Sequence, residues 1–171
     1  MTQARDRRAA DRHRSPDRRQ QDEFDQKMID IARVTRVMAG GKRMSFRACI
    51  VVGDRRGRVG MGLRKGADVS SAINKAVRAA KKNLVTVTMV NDTIPSKVQE
   101  KFGAALIILK PAPAGTGVIA SGPVRAVLEL AGVKNVVSKM LGSKNKVNNV
   151  MATLNALQRL KDVRQLKTLR S

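Results

Sequence analysis

Residues 37–83 read VMAGGKRMSFRACIVVGDRRGRVGMGLRKGADVSSAINKAVRAAKKN, and the fold is decided there. Phe46, Ala48, Ile50 and Val52 alternate with Arg47 and Cys49, the period of a half-buried strand over Ser45–Val52. Gly40-Gly41 and Gly53-Asp54-Arg55-Arg56-Gly57 are turn signals on either side of it. They predict a strand over Met28–Met38 before it and another over Arg58–Leu63 after it. Asp68 then stands as cap to a helix whose stripe is Val69, Ala72, Ile73, Ala76, Val77, Ala80 and Leu84. Asn74, Lys75, Arg78, Lys81 and Lys82 fall on the rest of its surface. Three strands against one basic amphipathic helix make a small α+β module with cations at nearly every bend.

Outward from this module, the N-terminal residues 1–27 are rich in Arg, Asp and Gln and almost free of apolar residues, which predicts a disordered Arg-rich arm. On the other side, Val85–Val90 alternates as a strand. Thr93–Val98 holds Pro95 and reads as an edge strand or loop. Ala104–Leu109 is a continuous apolar run, the pattern of a strand buried on both faces. A loop over Pro111–Gly122 precedes a helix that starts at Pro123 and stops before Gly132. Val133–Val137 reads as a short strand, and Asn145 as the cap of a last helix with Val147, Val150, Met151, Leu154 and Leu157 inward. The division expected is 1–27 arm, 28–84 first domain, 85–160 second domain and 161–171 basic tail.

Charge narrows the function. The chain of 171 residues carries a formal net charge of +22. Residues 1–27 hold eight Lys/Arg and six Asp/Glu, whereas the other 144 hold 27 against seven. The folded part is therefore the polycation. Solubility needs a net charge of only about 2–8, so the excess calls for a polyanionic partner, nucleic acid before a membrane surface. With three Phe and no Tyr or Trp, base stacking along a single strand is disfavoured, leaving sugar-phosphate contact with folded, largely double-stranded RNA.

Catalytic readings find little support. The one histidine, His13, lies in the arm, and the seven acids beyond residue 27 form no close pair. Gly60-Met61-Gly62-Leu63-Arg64-Lys65-Gly66 has the wrong spacing for a dinucleotide fingerprint and lacks the later acid. Its glycines read instead as sites of tight strand packing and close approach to RNA. The loop Gly115-Thr116-Gly117 before a helix start offers N–H groups to an anion, but no Gly-Lys-Ser/Thr follows. Cys49 alone permits neither a disulfide nor a zinc cluster and reads as a small strand residue in a reducing cytoplasm. No apolar run of bilayer length and no leader is read. No cofactor, no metal, no membrane association and no enzyme activity are expected.

Three stretches carry a family resemblance: Gly40-Gly41-Lys42-Arg43-Met44-Ser45-Phe46; Val51-Val52-Gly53-Asp54 with Gly57-Arg58-Val59-Gly60; and Lys110-Pro111-Ala112 with Gly115-Thr116-Gly117-Val118-Ile119-Ala120. Leu128-Glu129-Leu130-Ala131-Gly132-Val133 and Gly142-Ser143 with Asn145 extend it. The sequence resembles the universal family of the fifth small-subunit ribosomal protein, in its bacterial form, over roughly residues 25–160. The resemblance implies an α+β fold: a double-stranded-RNA-binding-like β-β-β-α module followed by a two-layer α/β domain with a left-handed β-α-β crossover. It implies a structural role on 16S-type rRNA at the head–body junction, beside the mRNA entry channel, with small-subunit proteins four and eight as neighbours and an influence on translational accuracy. The finger Thr35–Arg43 would border the spectinomycin pocket. Met61 and Leu63 stand where relatives usually carry aromatics, and Leu106 and Met151 where many carry a basic residue or an Arg. The alternative is a free-standing double-stranded-RNA-binding or ribosome-assembly factor.

The expected RNA contacts follow from turns, cations and the resemblance together. In the first half they are Arg36, Gly40, Gly41, Lys42 and Arg43 at the first turn, Arg47 on the second strand, Arg55, Arg56 and Arg58 at the second turn, and Arg64 and Lys65 at the end of the third strand. In the second half they are Lys110, Thr116, Ser121 and Arg125 around the glycine loop, and Lys144 and Asn145 before the last helix. A phosphate-dominated grip makes log K fall linearly with log salt, by about 0.9 for each phosphate neutralised on duplex and less on single strands. Filter binding of the protein to a folded rRNA fragment between about 50 and 200 mM salt should lose at least about a hundredfold in affinity. A flat titration would refute the phosphate reading.

Overall fold

The computed structural model describes residues 24–168, with side chains through residue 160. Residues 1–23 of the arm expected over 1–27, and the side chains of the basic tail, lie outside the described residues. In chain order the elements are β1 (Asp25–Met38), β2 (Gly41–Gly53), β3 (Arg58–Gly66), α1 (Val69–Lys82), β4 (Leu84–Thr86), β5 (Val98–Phe102), β6 (Ala105–Pro111), β7 (Val118–Ile119), α2 (Gly122–Ala131), β8 (Val136–Gly142) and α3 (Lys146–Thr168). They form a mixed α+β structure with two four-stranded sheets, ordered β1-β2-β3-β4 and β5-β6-β8-β7.

The first sheet is antiparallel throughout. Its strand period sends Ala48, Ile50 and Val52 to one face, where they pack on Ala72, Ala76 and Ala80 of α1. Strand and helix meet through a strip without side chains. A Cβ on Gly60 would lie 2.5 Å from the Ala80 carbonyl oxygen, and one on Gly66 would lie 2.5 Å from the Ala72 nitrogen. One on Gly62 would run into the Ala76 carbonyl oxygen. The glycines expected to approach RNA approach this helix instead.

The opposite face of the same sheet is also covered. Val51 and Val59 belong to the large core shared with Ile107, Leu109, Val124, Val127, Leu128 and Leu157. Cys49 and Val51 are fully buried, so β2 is not half-buried as its alternation predicted. The second half of the chain supplies the cover, which a period-2 pattern alone cannot reveal.

Other boundaries also differ from expectation. Strand β1 begins at Asp25, three residues before Met28, and Phe24 packs on the α1 core, so residues 25–27 belong to the sheet and Phe24 to the core, not to the arm. A register shift between Met28 and Asp30 lets Ile29 turn into the large core. Of the alternation over Val85–Val90 only Val85 and Thr86 are strand, which with Leu84 form β4, pair with β3 and close the first sheet. Strand β5 went unread because it is short and charged; it pairs with β6 as an edge. In β6, Ala105, Ile107 and Leu109 are buried while Leu106 and Ile108 are only half-buried, so one face and not both is sealed. Strand β8 starts at Val136, later than Val133.

The second sheet carries one parallel pair, Val118 with Val136 and Ile119 with Val137, and α2 links these two strands. Pro123 stands in the first turn of α2, and Gly132 ends it with φ +88°. Asn145 caps α3: its Oδ1 accepts from the Val147 N–H at 3.0 Å and the Asn148 N–H at 3.4 Å. Asp68 and Ser121 occupy N-cap positions without making a side-chain cap bond.

Substituting Gly62 tests the strand–helix seam. Gly62→Ala forces backbone of β3 or α1 to shift, and overpacking of this kind costs about 1–3 kcal/mol. A thermal melt should show a clear fall in Tm, whereas Gly40→Ala, whose Cβ would meet nothing within 4 Å, should leave Tm near wild type.

Candidate nucleic-acid interface

Strand β3 pairs with β2 only between Phe46 and Gly53. Beyond it, β1 and β2 continue alone from Val34 opposite Ser45 to Met38 opposite Gly41. This two-stranded ribbon ends in a tight turn at Ala39 and Gly40, and Gly41 follows with φ +140°, a region glycine alone enters without strain. The register sets Arg36 directly across from Arg43 and Val37 across from Lys42. All four are exposed, as are Met38 and Met44, and Val37 is 73% exposed. The first turn and its cations therefore stand clear of the body, as the sequence placed them.

The second turn is only partly available. Asp54 organises it: its Oδ1 accepts from the N–H groups of Arg56 at 2.8 Å and Arg58 at 2.9 Å, and its Oδ2 pairs with Arg58 Nε at 2.6 Å. The carboxylate is 4% exposed. Burial alone would raise its pKa, but these bonds and the Arg58 charge outweigh that and hold it below the ordinary carboxylate value. Arg58 also lies 5.2 Å from the centre of the Phe24 ring. It thus serves the fold before any ligand. Arg55 pairs with Asp25 at 2.7 Å, and the Arg56 side chain points from an exposed position.

Along the sheet, Arg47 faces Lys65 across the β2–β3 register, while Arg64 lies opposite Ala48. Arg64 and Lys65 are exposed, and Arg47 lies 3.9 Å from Asp30, which also takes Lys146 at 3.1 Å. Cys49, between them, is sealed. Burial and the Asp30 charge push its thiol up to about 11 against the pull of Arg47, which leaves it inert.

The glycine loop of the second half differs from its reading. The N–H groups of Gly115 and Gly117, expected to be open to an anion, both donate to Oδ1 of the buried Asn135 at 3.1 Å. The Thr116 N–H donates to the Pro113 carbonyl at 3.3 Å. Asn135 is the residue the sequence gave no means of finding, because it lies 18–20 positions away. Ser121 Oγ is buried and has no partner among the described residues. Arg125 donates to the Val118 carbonyl at 3.1 Å, so it braces β7. Lys110 and Lys144 are exposed at the end of β6 and ahead of α3, and Asn145 is occupied as a cap. The structure gathers the first-half cations around one ribbon and sheet and brings the start of α3 up to them, since Lys146, next to Lys144 and Asn145, shares Asp30 with Arg47. Lys75, Arg78 and Lys82 are also exposed on α1, at a helical spacing visible in the sequence, and stand outside the expected contacts.

Among the described residues no three potential metal ligands come together, and no helix is long and apolar enough to cross a membrane. A basic α+β body with a cationic ribbon defines a class of protein that grips a polyanion from outside. Residues 24–88 match the family described as "Ribosomal protein S5, N-terminal domain", and residues 100–170 match "Ribosomal protein S5, C-terminal domain". The chain is 48% identical over 151 residues to the Small ribosomal subunit protein uS5 of Thermotoga maritima, covering 88% of this chain and 85% of that one. It is 47% identical over 146 residues to the Small ribosomal subunit protein uS5c of Emiliania huxleyi, covering 85% and 92%. The chain belongs to the ribosomal protein S5 family. It is a structural, non-catalytic, rRNA-binding protein of the small ribosomal subunit.

The Asp54 turn yields a pH test. A carboxylate whose folded pKa is depressed contributes stability above its unfolded pKa of 3.8 and loses it as pH falls through the folded value. Asp54→Asn should lower Tm at pH 7, and the gap from wild type should narrow as pH falls below about 3.8. A gap independent of pH, read by thermal melts at pH 7 and pH 3, would show that the charge of Asp54 is idle.

Proposed function

We propose that this chain braces 16S-type rRNA at the head–body junction of the small subunit of cytoplasmic ribosomes. On this reading it lies beside the mRNA entry channel, touches small-subunit proteins four and eight, and influences translational accuracy. The observation that carries the reading is the pairing of Arg36 with Arg43. Like charges directly opposite each other weaken a sheet by a fraction of a kcal/mol. A hairpin that needed only to close would avoid that arrangement, and the ribbon has no acid between residues 31 and 53 to relieve it. Phosphates on either side would turn the repulsion into attraction.

The first half then acts as a double-stranded-RNA-binding-like module, with the ribbon reaching along the backbone and Arg47, Arg56, Arg64 and Lys65 behind it. In the second half, the β7-α2-β8 unit is proposed to make a left-handed crossover, as the family resemblance implies. Its sheet offers a protein neighbour a different surface. Leu106 pairs across the sheet with Leu141, which is 39% exposed, and Ile108 pairs with Lys139. An apolar stripe flanked by lysines suits a ribosomal-protein partner better than bare phosphate. The two functional halves meet close to the end of the first family match at residue 88.

Arg43→Ala separates binding from folding. It removes the cross-strand repulsion, so Tm should stay equal to wild type or rise slightly. Affinity for the rRNA fragment should fall, and the salt slope should shrink by about 1. Unchanged affinity and slope would place the ribbon in solvent and refute this reading.

A further inference from the structure

The outer face of α1 carries a row of cations that neither the fold nor the ribbon uses. Lys75, Arg78 and Lys82 follow one another at three and four residues, the spacing of one side of a helix, and all three are exposed. None of them stands in an ion pair among the described residues. Lys81 is set apart from them: its ammonium lies 5.6 Å from the centre of the Phe24 ring, so it serves the fold. The helix from Val69 to Lys82 holds no acid, and cations three and four residues apart repel one another. A place in the last turn, where the helix dipole favours positive charge, accounts for Lys82. Lys75 and Arg78 lie before that turn and have no such reason.

We propose that this face of α1 binds a second segment of RNA backbone, apart from the one held by the ribbon. The proposal rests on the rRNA-binding reading above and adds a site to it. Lys75 and Lys82 stand about 10 Å apart along the helix axis, with Arg78 between them. Such a row is too long for a single phosphate and suits a strand of them. The other exposed side chains of this face, Ser70 and Asn74, are polar. Val69, the one exposed apolar residue of α1, lies at the helix start, in line with buried Ala72 and Ala76. A protein partner needs apolar surface at the centre of its contact, whereas nucleic-acid contacts are polar and strongly cationic. The face offers the second and not the first. That the segment is a separate one follows from the sheet. Phe46, Ala48, Ile50 and Val52 turn toward α1. Strand alternation therefore turns Arg43, and Arg36 directly across from it, to the opposite side. One straight duplex against Arg36 and Arg43 leaves the outer face of α1 untouched, because both sheet and helix stand between.

The test uses the full-length chain with an excess of a short, fully paired RNA hairpin. Native mass spectrometry counts the hairpins bound, and an activated acetyl ester reads the accessibility of each lysine. Wild type should take up a second hairpin, and the RNA should slow acetylation of Lys75 and Lys82 at least about threefold. The ribbon variant Arg36→Ala with Arg43→Ala should bind one hairpin fewer and keep that protection. Arg78→Ala, at an exposed helix position that alanine suits, should cut the protection by about half or more while the ribbon's hairpin stays bound. Unprotected Lys75 and Lys82 on a protein that holds one hairpin overturns the proposal and leaves the rRNA reading standing. Protection that vanishes with Arg36 and Arg43 overturns it as well, because the footprint is then a shared one. So does equal protection of the exposed Lys97 and Lys101 in the second half, the mark of a diffuse ion cloud. A protein that binds no hairpin at all removes the rRNA reading and this site with it.

Discussion

The two halves of this protein are joined backbone to backbone, and that contact fixes everything else. At the end of β2, a Cβ on Gly53 would collide with the Leu130 carbonyl, and at the end of α2 a Cβ on Gly132 would collide with the Arg55 carbonyl. Through this gap the Arg55 N–H donates to Leu130 O and the Gly57 N–H to Ala131 O, both at 2.9 Å. Four residues of turn thus complete the hydrogen bonding of a helix C-terminus, whose carbonyls would otherwise be unpaired. Because main chain meets main chain, there is no side chain to yield, and the halves have little freedom to rotate. The Asp54 network is the other side of the same device. It holds the turn in the shape that α2 requires.

A rigid base matters because the ribbon is a lever. A two-stranded ribbon standing alone is marginal in water. Here it grows from a sheet that is clamped on both faces, by the Gly–Ala seam under α1 and by the large core under α2 and α3. Its tip is therefore directed by packing that lies far from it. Cations placed on such a lever arrive at their partner already oriented, which reduces the ordering cost of binding.

How much of this could be read in advance depended on whether the determining partner was local. The turn at Gly40-Gly41, found one residue earlier at Ala39-Gly40, the turn at Asp54–Gly57, the cap at Asn145 and the stop at Gly132 rest on nearest neighbours, and the structure has them at or beside the residues that signalled them. The ribbon's cations were legible for the same reason. What failed depended on distant residues. The period-2 pattern of β2 could not show that Val51 joins a core with Leu128 and Leu157. The alternation after Leu84 could not show that only Val85 and Thr86 of it would find room beside β3. The Gly115–Gly117 loop read as open because its partner, Asn135, lies beyond the next helix. Glycines at 60, 62 and 66 announced a close approach but not to what; the small face of Ala72, Ala76 and Ala80 held the answer.

The acids explain where the charge goes. Among the described side chains, Asp25, Asp30, Asp54, Asp92, Glu100 and Glu129 each stand in an ion pair. Two of these acids tie the first strand to the second half, through Lys27 with Glu129 and Lys146 with Asp30. Exposed pairs of this kind add little stability, so their main effect is on the field. They neutralise cations near the junction of the halves and within the second half, and none lies on the ribbon beyond Arg33. Among the described residues, unpaired cations are consequently left on the ribbon, at Arg36, Lys42 and Arg43, and also at Arg64 and Lys65 and along α1 at Lys75, Arg78 and Lys82. A protein of uniform basicity would be attracted to any polyanion in any orientation. Local neutralisation at the joint leaves this one quieter where its halves meet and charged on the ribbon and along α1, which biases the direction of approach.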